Sequence, residues 1–353
     1  MKKLNPALIL LPFIVFVFLS NTYAQDYANS ISGNVIDEKS ELPLQGVNVF
    51  ISGSTWGVHT DRDGNYKITS VTPGVHELVI SFLGYEVISK SVSIKGNSEF
   101  KFDFKLVPKT YQLDSVSVIS EMPVEWQSRL RTFKRLFFGQ NKFAEDCTIE
   151  NETSLDFNED LHGVLSAFTI RPIIIINKAL GYRIYCILMS FLWDNDEQRI
   201  SFLVQPKFEN LKPTDKDEEN KWLNNRISVY EGSLNHFLLS LVNDTFLEKG
   251  YKIYFAALPS QSKYTYRFEQ VFRRDKLIHK GILSNEYLLK FANYLKVDFK
   301  GYSSFLKLKY DDVLIDKFGF PQEPVPFETY GDWAKCGMAD MLPNYFDVQN
   351  PFK

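Results

Sequence analysis

Alternation of apolar and polar residues dominates the first third of the chain. Phe100, Phe102, Phe104 and Leu106 interleave with Lys101, Asp103 and Lys105, the period of a strand buried on one face. Val47-Asn48-Val49-Phe50-Ile51 and Leu78-Val79-Ile80-Ser81-Phe82 also put apolar residues at every second position. Gly46, Gly53, Gly64, Gly74 and Gly84 punctuate these runs. Short strands closed by turn residues predict an antiparallel β-sandwich over residues 26–107. Asp61-Arg62-Asp63-Gly64 reads as its hairpin turn, with Asp63-Gly64 supplying the positive φ. An EF-hand calcium loop starting at Asp61 would need an acid at its twelfth position, where Thr72 stands. His59 and His76 read as isolated strand residues, at the surface or half-buried.

Residues 108–122 form a junction, and beyond it the period changes. Trp126, Leu130, Phe133 and Phe137 recur at helical spacing. Strands are predicted near Ala167, over Ile173–Ile176, Tyr182–Trp193 and Ile200–Phe208. Ile173–Ile176 and Tyr185–Met189 are apolar on both faces, which predicts central strands covered on each side. A charged loop at Thr214–Asn220 leads to a second helical region. Its buried stripe is Leu234, Leu238, Leu241 and Val242, and Gly250 is its expected C-cap. Tyr251–Ala256, Leu295–Phe299 and Phe305–Leu308 read as further strands. The last thirty or so residues are rich in Pro and aromatics and are expected to wrap the surface. Residues 123–353 thus read as an α+β domain with an antiparallel or mixed sheet and a few helices, and the chain as a whole as mainly β or α+β.

Composition adds compartment and exclusions. Lys2 and Lys3 precede the apolar run Ala7–Leu19, and Thr22-Tyr23-Ala24 offers small residues at the cleavage positions, so residues 1–24 read as a signal peptide. The run is too short to span a bilayer, and the later apolar stretch Ala179–Trp193 contains Arg183. No membrane span after signal cleavage is expected. The chain carries a formal net charge of −3, and losing residues 1–24 makes it more acidic. Without a basic block, nucleic-acid binding is not expected. Cys147, Cys186 and Cys336 allow at most one internal bridge, and no Cys-x-x-Cys occurs.

Several motifs of the first module follow one another in a distinctive order. They are Gly33-Asn34-Val35-Ile36-Asp37, Pro43-Leu44-Gln45-Gly46-Val47-Asn48-Val49, Thr60-Asp61-Arg62-Asp63-Gly64-Asn65-Tyr66, Gly74-Val75-His76-Glu77-Leu78 and Ser81-Phe82-Leu83-Gly84-Tyr85. Their order resembles the carboxypeptidase-regulatory-like domain, a transthyretin-like sandwich. In Bacteroidota this domain is common at the N-terminus of exported proteins, including SusC-type TonB-dependent receptors. The resemblance implies an accessory module, so no peptidase residue carries over. Leu113–Val118 resembles the segment that precedes the receptor plug and barrel, but the remaining residues are too few for such a barrel, and a transporter is not expected. The second module, through Cys147-Thr148-Ile149-Glu150-Asn151, Leu180-Gly181-Tyr182 and Met341-Leu342-Pro343 with Tyr345, resembles an uncharacterised family of exported Bacteroidota proteins with the same N-terminal sandwich.

One constellation invites a chemical reading: Arg226, Tyr230, Gly232, Ser233 and His236. Residues three apart on a helix share a face, so Ser233 and His236 could form the core of an acyl-transfer site. Ser233 also follows Gly232 and precedes an apolar periodic run, which predicts an N-cap whose hydroxyl accepts a backbone amide of the first turn. No Gly-x-Ser-x-Gly elbow exists. The cap is the reading adopted, with Arg226, Tyr230, Ser233 and His236 as candidate ligand contacts and no catalytic residue. Histidines are scattered, so no metal site and no cofactor is expected. Acid pairs such as Asp156/Glu159/Asp160 and Asp311/Asp312 read as solvated surface, and Trp193, Trp222 and Trp333 as cover for the core rather than sugar platforms. The expected function is a non-enzymatic exported protein of the periplasm, outer membrane or cell surface. Its sandwich would dock or space, and its second module would bind an envelope protein or glycan. A hydrolase of envelope or dietary polymers and a carbohydrate binder are the alternatives.

Overall fold

The computed structural model describes residues 29–96, 98–109, 122–256, 268–282, 286–323, 325–346 and 348. The expected signal peptide and most of the expected junction lie outside them. The first module is a sandwich of two four-stranded sheets. One sheet places Ser30–Asp37 between Asn65–Thr69 and the closing strands Glu99–Lys101 and Phe104–Leu106. The other runs Gly57–His59, Asn48–Ile51, Gly74–Ser81, Ile88–Ile94, all antiparallel. Ile31, Val49, Ile51, Ile68, Leu78, Ile80 and Leu106 close the core between them. The closing strands differ from the antiparallel expectation, since both pair parallel to Ser30–Asp37. Between them the chain bulges, and the Phe102 carbonyl accepts from the Tyr66 hydroxyl at 2.7 Å. Gly33 makes this possible: a Cβ there would stand 1.8 Å from that same carbonyl oxygen.

Past residue 123 the buried apolar residues gather into two large clusters. The first joins helix α1 (Val124–Phe137) to a six-stranded sheet. Tyr182–Asp194 is the long axis of this sheet. Arg199–Asn210 lines one edge, while Ile173–Asn177 and Val164–Thr169 share the other. Helical spacing brings Phe133 and Phe137 to one face of α1, where their rings stack at 4.7 Å and Phe133 meets Phe191.

The two-faced apolar character of Tyr182–Asp194 has a physical cause. Cys186 and Ile184 point into the α1 core, while Tyr185 and Ile187 point the other way onto Phe50 and Val79 of the sandwich. Phe50 and Val79 are fully buried although they face out of their own sandwich. Hydrogen bonds stitch this seam: the Gly53 amide donates to the Pro206 carbonyl at 2.6 Å, the Phe208 amide to Ser54 at 2.9 Å, and the Gln205 amide group to the Ser89 hydroxyl at 2.7 Å.

The expected charged loop at Thr214–Asn220 is largely the first turn of helix α2 (Lys216–Tyr230). Asp215 caps it by accepting from the Glu218 amide, and Asp217, Glu218 and Glu219 place negative charge at the positive end of the helix. Helix α3 (Leu234–Val242) ends at Asn243, well before Gly250, which closes a later turn at φ 90. Leu238, Leu241 and Val242 anchor the second cluster. There α3 packs with a five-stranded sheet, ordered Phe268–Val271, Lys252–Ala256, Tyr294–Phe299, Tyr302–Leu308, Phe327–Gly331, and with a three-stranded sheet containing Val313–Asp316.

The aromatic-rich end, expected to wrap the surface, instead threads between all these units. Trp333 packs on the second cluster and Met338 and Ala339 are buried in the first. The Asn344 amide donates to the Gly53 carbonyl of the sandwich. Tyr345 lies among Trp56 and His76 of the sandwich and Phe318 and Phe320 of the second unit. His76 is therefore buried, not a surface residue; its Nε2 donates to the Thr72 carbonyl at 2.7 Å and burial lowers its pKa. Where this strap passes the end of α1, Gly139 and Gly337 come so close that a Cβ on either would stand within 2.7 Å of the other's backbone nitrogen.

Candidate functional site

The strap forms one wall of a half-open groove of about 720 Å³ between the two clusters. The α2–α3 junction, residues 228–235, forms another wall. The turn at 140–141 and the strands bearing Val297, Phe299, Tyr302 and Phe327 complete it. Such a volume, with apolar walls and a few polar groups, suits a small ligand or one segment of a larger one.

Several polar groups facing this space hold one another. Asp332 accepts from the Lys335 ammonium at 2.7 Å and from the Ser303 amide at 2.8 Å, which keep its carboxyl below the usual range. Asp340 accepts from the Asn141 amide group at 2.5 Å and the Gly337 amide at 3.4 Å. Even so, burial pushes its carboxyl up to about 6. Cys336 is exposed as a residue, but its sulfur turns back toward the Asp332 carbonyl. Desolvation there, with the Asp340 and Asp332 charges, pushes the thiol up to about 12, which leaves no thiolate to act as a nucleophile. All three cysteines are free, and Cys147 and Cys186 are buried. Among the described residues, no cluster of His, Cys, Asp or Glu could hold a metal ion.

The candidate contacts read from sequence take different places. Ser233 is the N-cap of α3: its Oγ accepts from the His236 amide at 3.1 Å. His236 Nδ1 accepts from the Gly232 amide at 3.1 Å and lies 2.9 Å from the Tyr251 hydroxyl. Since the Gly232 amide can only donate, Nδ1 carries no proton and the tyrosine donates to it as well. Burial is the main cause of the lowered His236 pKa, and the imidazole is neutral at pH 7. The serine hydroxyl thus meets the backbone of His236 rather than its ring. Arg226 is fully buried and clamps the turn before Tyr182. Its Nε donates to the Leu180 carbonyl at 2.7 Å, Nη2 donates to Asn210 Oδ1 at 3.1 Å, and the guanidinium lies 3.9 Å from the Tyr182 ring centroid. Tyr230 and Ser233 line the groove, whereas Arg226 and His236 do not. Trp193 and Trp222 are buried, and Trp333 stands in the groove wall with its indole N–H donating to the Gly232 carbonyl at 2.8 Å.

Sequence reasoning missed Asn141, Phe299, Tyr302, Asp332 and Asp340. They come from three distant segments, the turn after α1, the hairpin of Phe299 and Tyr302, and the strap, and no spacing rule connects them. The motif Met341-Leu342-Pro343 with Tyr345 was the available signal, because it falls within the strap.

Comparison with known proteins fits this architecture. Residues 31–118 match the family model of the CarboxypepD_reg-like domain, so the sandwich is a CarboxypepD_reg-like domain. The chain is 36% identical over 111 residues to TonB-dependent receptor P39 of Formosa agariphila, covering 31% of this chain and 10% of that one. It is 34% identical over 112 residues to TonB-dependent receptor SusC of Bacteroides thetaiotaomicron, covering 31% and 10%. The chain thus spans about a tenth of the length of the curated relatives it matches. Among solved structures, a DUF3823 family protein from Bacteroides ovatus aligns at 11% identity with a TM-score of 0.18, covering 52% of this chain and 81% of that one. The group B streptococcus pilus 2b backbone protein aligns at 19% identity with a TM-score of 0.20, covering 23% and 41%. Likenesses at that level carry no functional argument. Among the described residues no helix is long and apolar enough to cross a membrane.

Proposed function

We propose that this is a non-enzymatic, exported protein of the cell envelope. The sandwich acts as a docking or spacing module, and the rest of the chain binds an envelope ligand or partner in the groove beneath the strap. The observation that carries this reading is the groove itself: about 720 Å³, walled by four separate parts of the chain, with Asp332 and Asp340 already bonded to neighbouring side chains. The likeness of the sandwich to segments of two TonB-dependent receptors supports an envelope location. Affinity capture from envelope extracts tests it, using the full chain and a Ser228→Trp variant. Ser228 is exposed on α2 and lines the groove, so the indole fills the mouth without entering a core. Material retained by the natural chain and lost by the variant supports the reading. Equal retention by both counts against it.

A hydrolase is the second reading, and one observation favours it. Asp332 and Asp340 line one groove with carboxyl pKa values displaced in opposite directions, a pattern that acid–base pairs share. Turnover of envelope or dietary polymers that disappears in Asp340→Asn would establish it.

A further inference from the structure

Building on the groove as the binding site, we infer that its ligand is a single uncharged apolar chain, of the acyl or alkyl class, rather than a sugar or an anion. The walls that would touch it are Phe299, Phe327, Trp333, Leu234, Leu342 and Phe346. A sugar needs free donors and acceptors around its hydroxyl groups. Here the charged side chains Asp332 and Glu231, the Asn141 amide and the Trp333 indole are already bonded: Asp332 with Lys335 and the Ser303 amide, Asn141 with Asp340 and the Phe143 amide, Glu231 with Lys300, and the Trp333 indole N–H with the Gly232 carbonyl. Recruiting them to a ligand would break bonds already made, with little net gain. An apolar chain leaves them undisturbed and gains from every methylene removed from water.

Charge settles the head group. Of the acids lining the groove, Asp332 is paired with Lys335 and Glu231 with Lys300, whereas Asp340 has no cationic partner among the described residues. An anionic head would therefore enter a site with an excess of acid, and in apolar surroundings that repulsion is not screened as it is in water. The same chain with a neutral head meets no such penalty. Tyr302, 65% exposed at the rim, offers a hydroxyl for such a head near the open side.

The test is a titration of the full chain, followed by Trp333 fluorescence, with a monoacylglycerol below its micelle concentration. The fatty-acid anion of the same chain length and a linear glucan serve as comparators, and Trp333→Phe identifies the reporting residue. Expected are saturable one-to-one binding of the monoacylglycerol, at least tenfold weaker binding of the anion, no binding of the glucan, and at least tenfold weakening in Ser228→Trp. No saturable monoacylglycerol binding overturns the inference, as does anion binding of equal strength or indifference to Ser228→Trp. Capture of envelope material that depends on the groove, without monoacylglycerol binding, overturns the chain class but leaves the groove as a binding site. Loss of both signals overturns the two readings together.

Discussion

Replacing Phe50 with Ala would separate the seam from the sandwich core. Phe50 is fully buried, yet it points away from Val49 and Ile51 and onto Tyr185 and Ile187 of the neighbouring sheet, with the Tyr185 ring edge-on at 6.0 Å. Truncating a fully buried phenylalanine costs about 3–5 kcal/mol. Of that, the edge-to-face pair accounts for about 1 kcal/mol. The low end, about 3 kcal/mol, is expected, because the two modules can shift toward each other across the gap. That loss falls on the docking of the modules and not on the fold of either. Amide hydrogen exchange reads the difference. Gly53, Phe208 and Asn344 donate across the seam, whereas the Val35 amide donates to Gly64 inside the sandwich. In Phe50→Ala the first three should exchange roughly a hundredfold faster, as about 3 kcal/mol implies, with Val35 unchanged. Acceleration of Val35 to the same degree would make Phe50 an ordinary member of the sandwich core. No acceleration at Phe208 would remove the seam from the account.

Three further substitutions test the local arguments. Ser233→Ala should lower stability by about 1 kcal/mol in urea denaturation, the worth of an N-cap; unchanged stability with loss of a measurable hydrolysis would reinstate the serine as a nucleophile. Gly33→Ala should destabilise the sandwich by about 3 kcal/mol or more by thermal melting, since its Cβ would stand 1.8 Å from the Phe102 oxygen; a melting temperature near that of the natural chain would show that the bulge relaxes freely. Asp340 has a folded pKa of about 6 against an ordinary 3.8, so the native state holds its proton more tightly than the unfolded chain does. Its contribution is therefore most favourable below about pH 4 and is lost as pH rises through about 6, up to about 3 kcal/mol at roughly 1.4 kcal/mol per pKa unit. Asp340→Asn should flatten stability against pH in that window, and an unchanged slope would contradict the assignment.

The sandwich was legible because its cause is local. The turn at Asp63-Gly64 dictates structure within a few residues, and the Asp61 carboxylate is taken up by the amides of Asp63 and Asn65; alternation at Phe100–Leu106 marked strand correctly but not the bulge that splits it into Glu99–Lys101 and Phe104–Leu106. The cap at Ser233 was legible for the same reason. Parallel closure of the last strands was not, because pairing direction depends on where the chain returns and not on the period. The apolar outer face of Tyr185 and Ile187 pointed correctly to a covered strand, but nothing local in the sequence named its cover. Phe50 and Val79, apolar at positions where alternation calls for polar residues, were the matching signal on the sandwich. The groove lies further still from local rules. Asn141 and Asp340 meet across nearly two hundred residues, and only the path of the strap brings them together.

The most direct measurement places a photoactivatable phenylalanine at position 228, in the groove mouth, and another at position 183, on an exposed strand position elsewhere, and irradiates cells producing each full-length chain. Intact mass spectrometry then reads what is attached. The account predicts a discrete small apolar adduct at 228 and none at 183. Equal labelling at both positions, or no adduct at 228, would contradict a binding site beneath the strap.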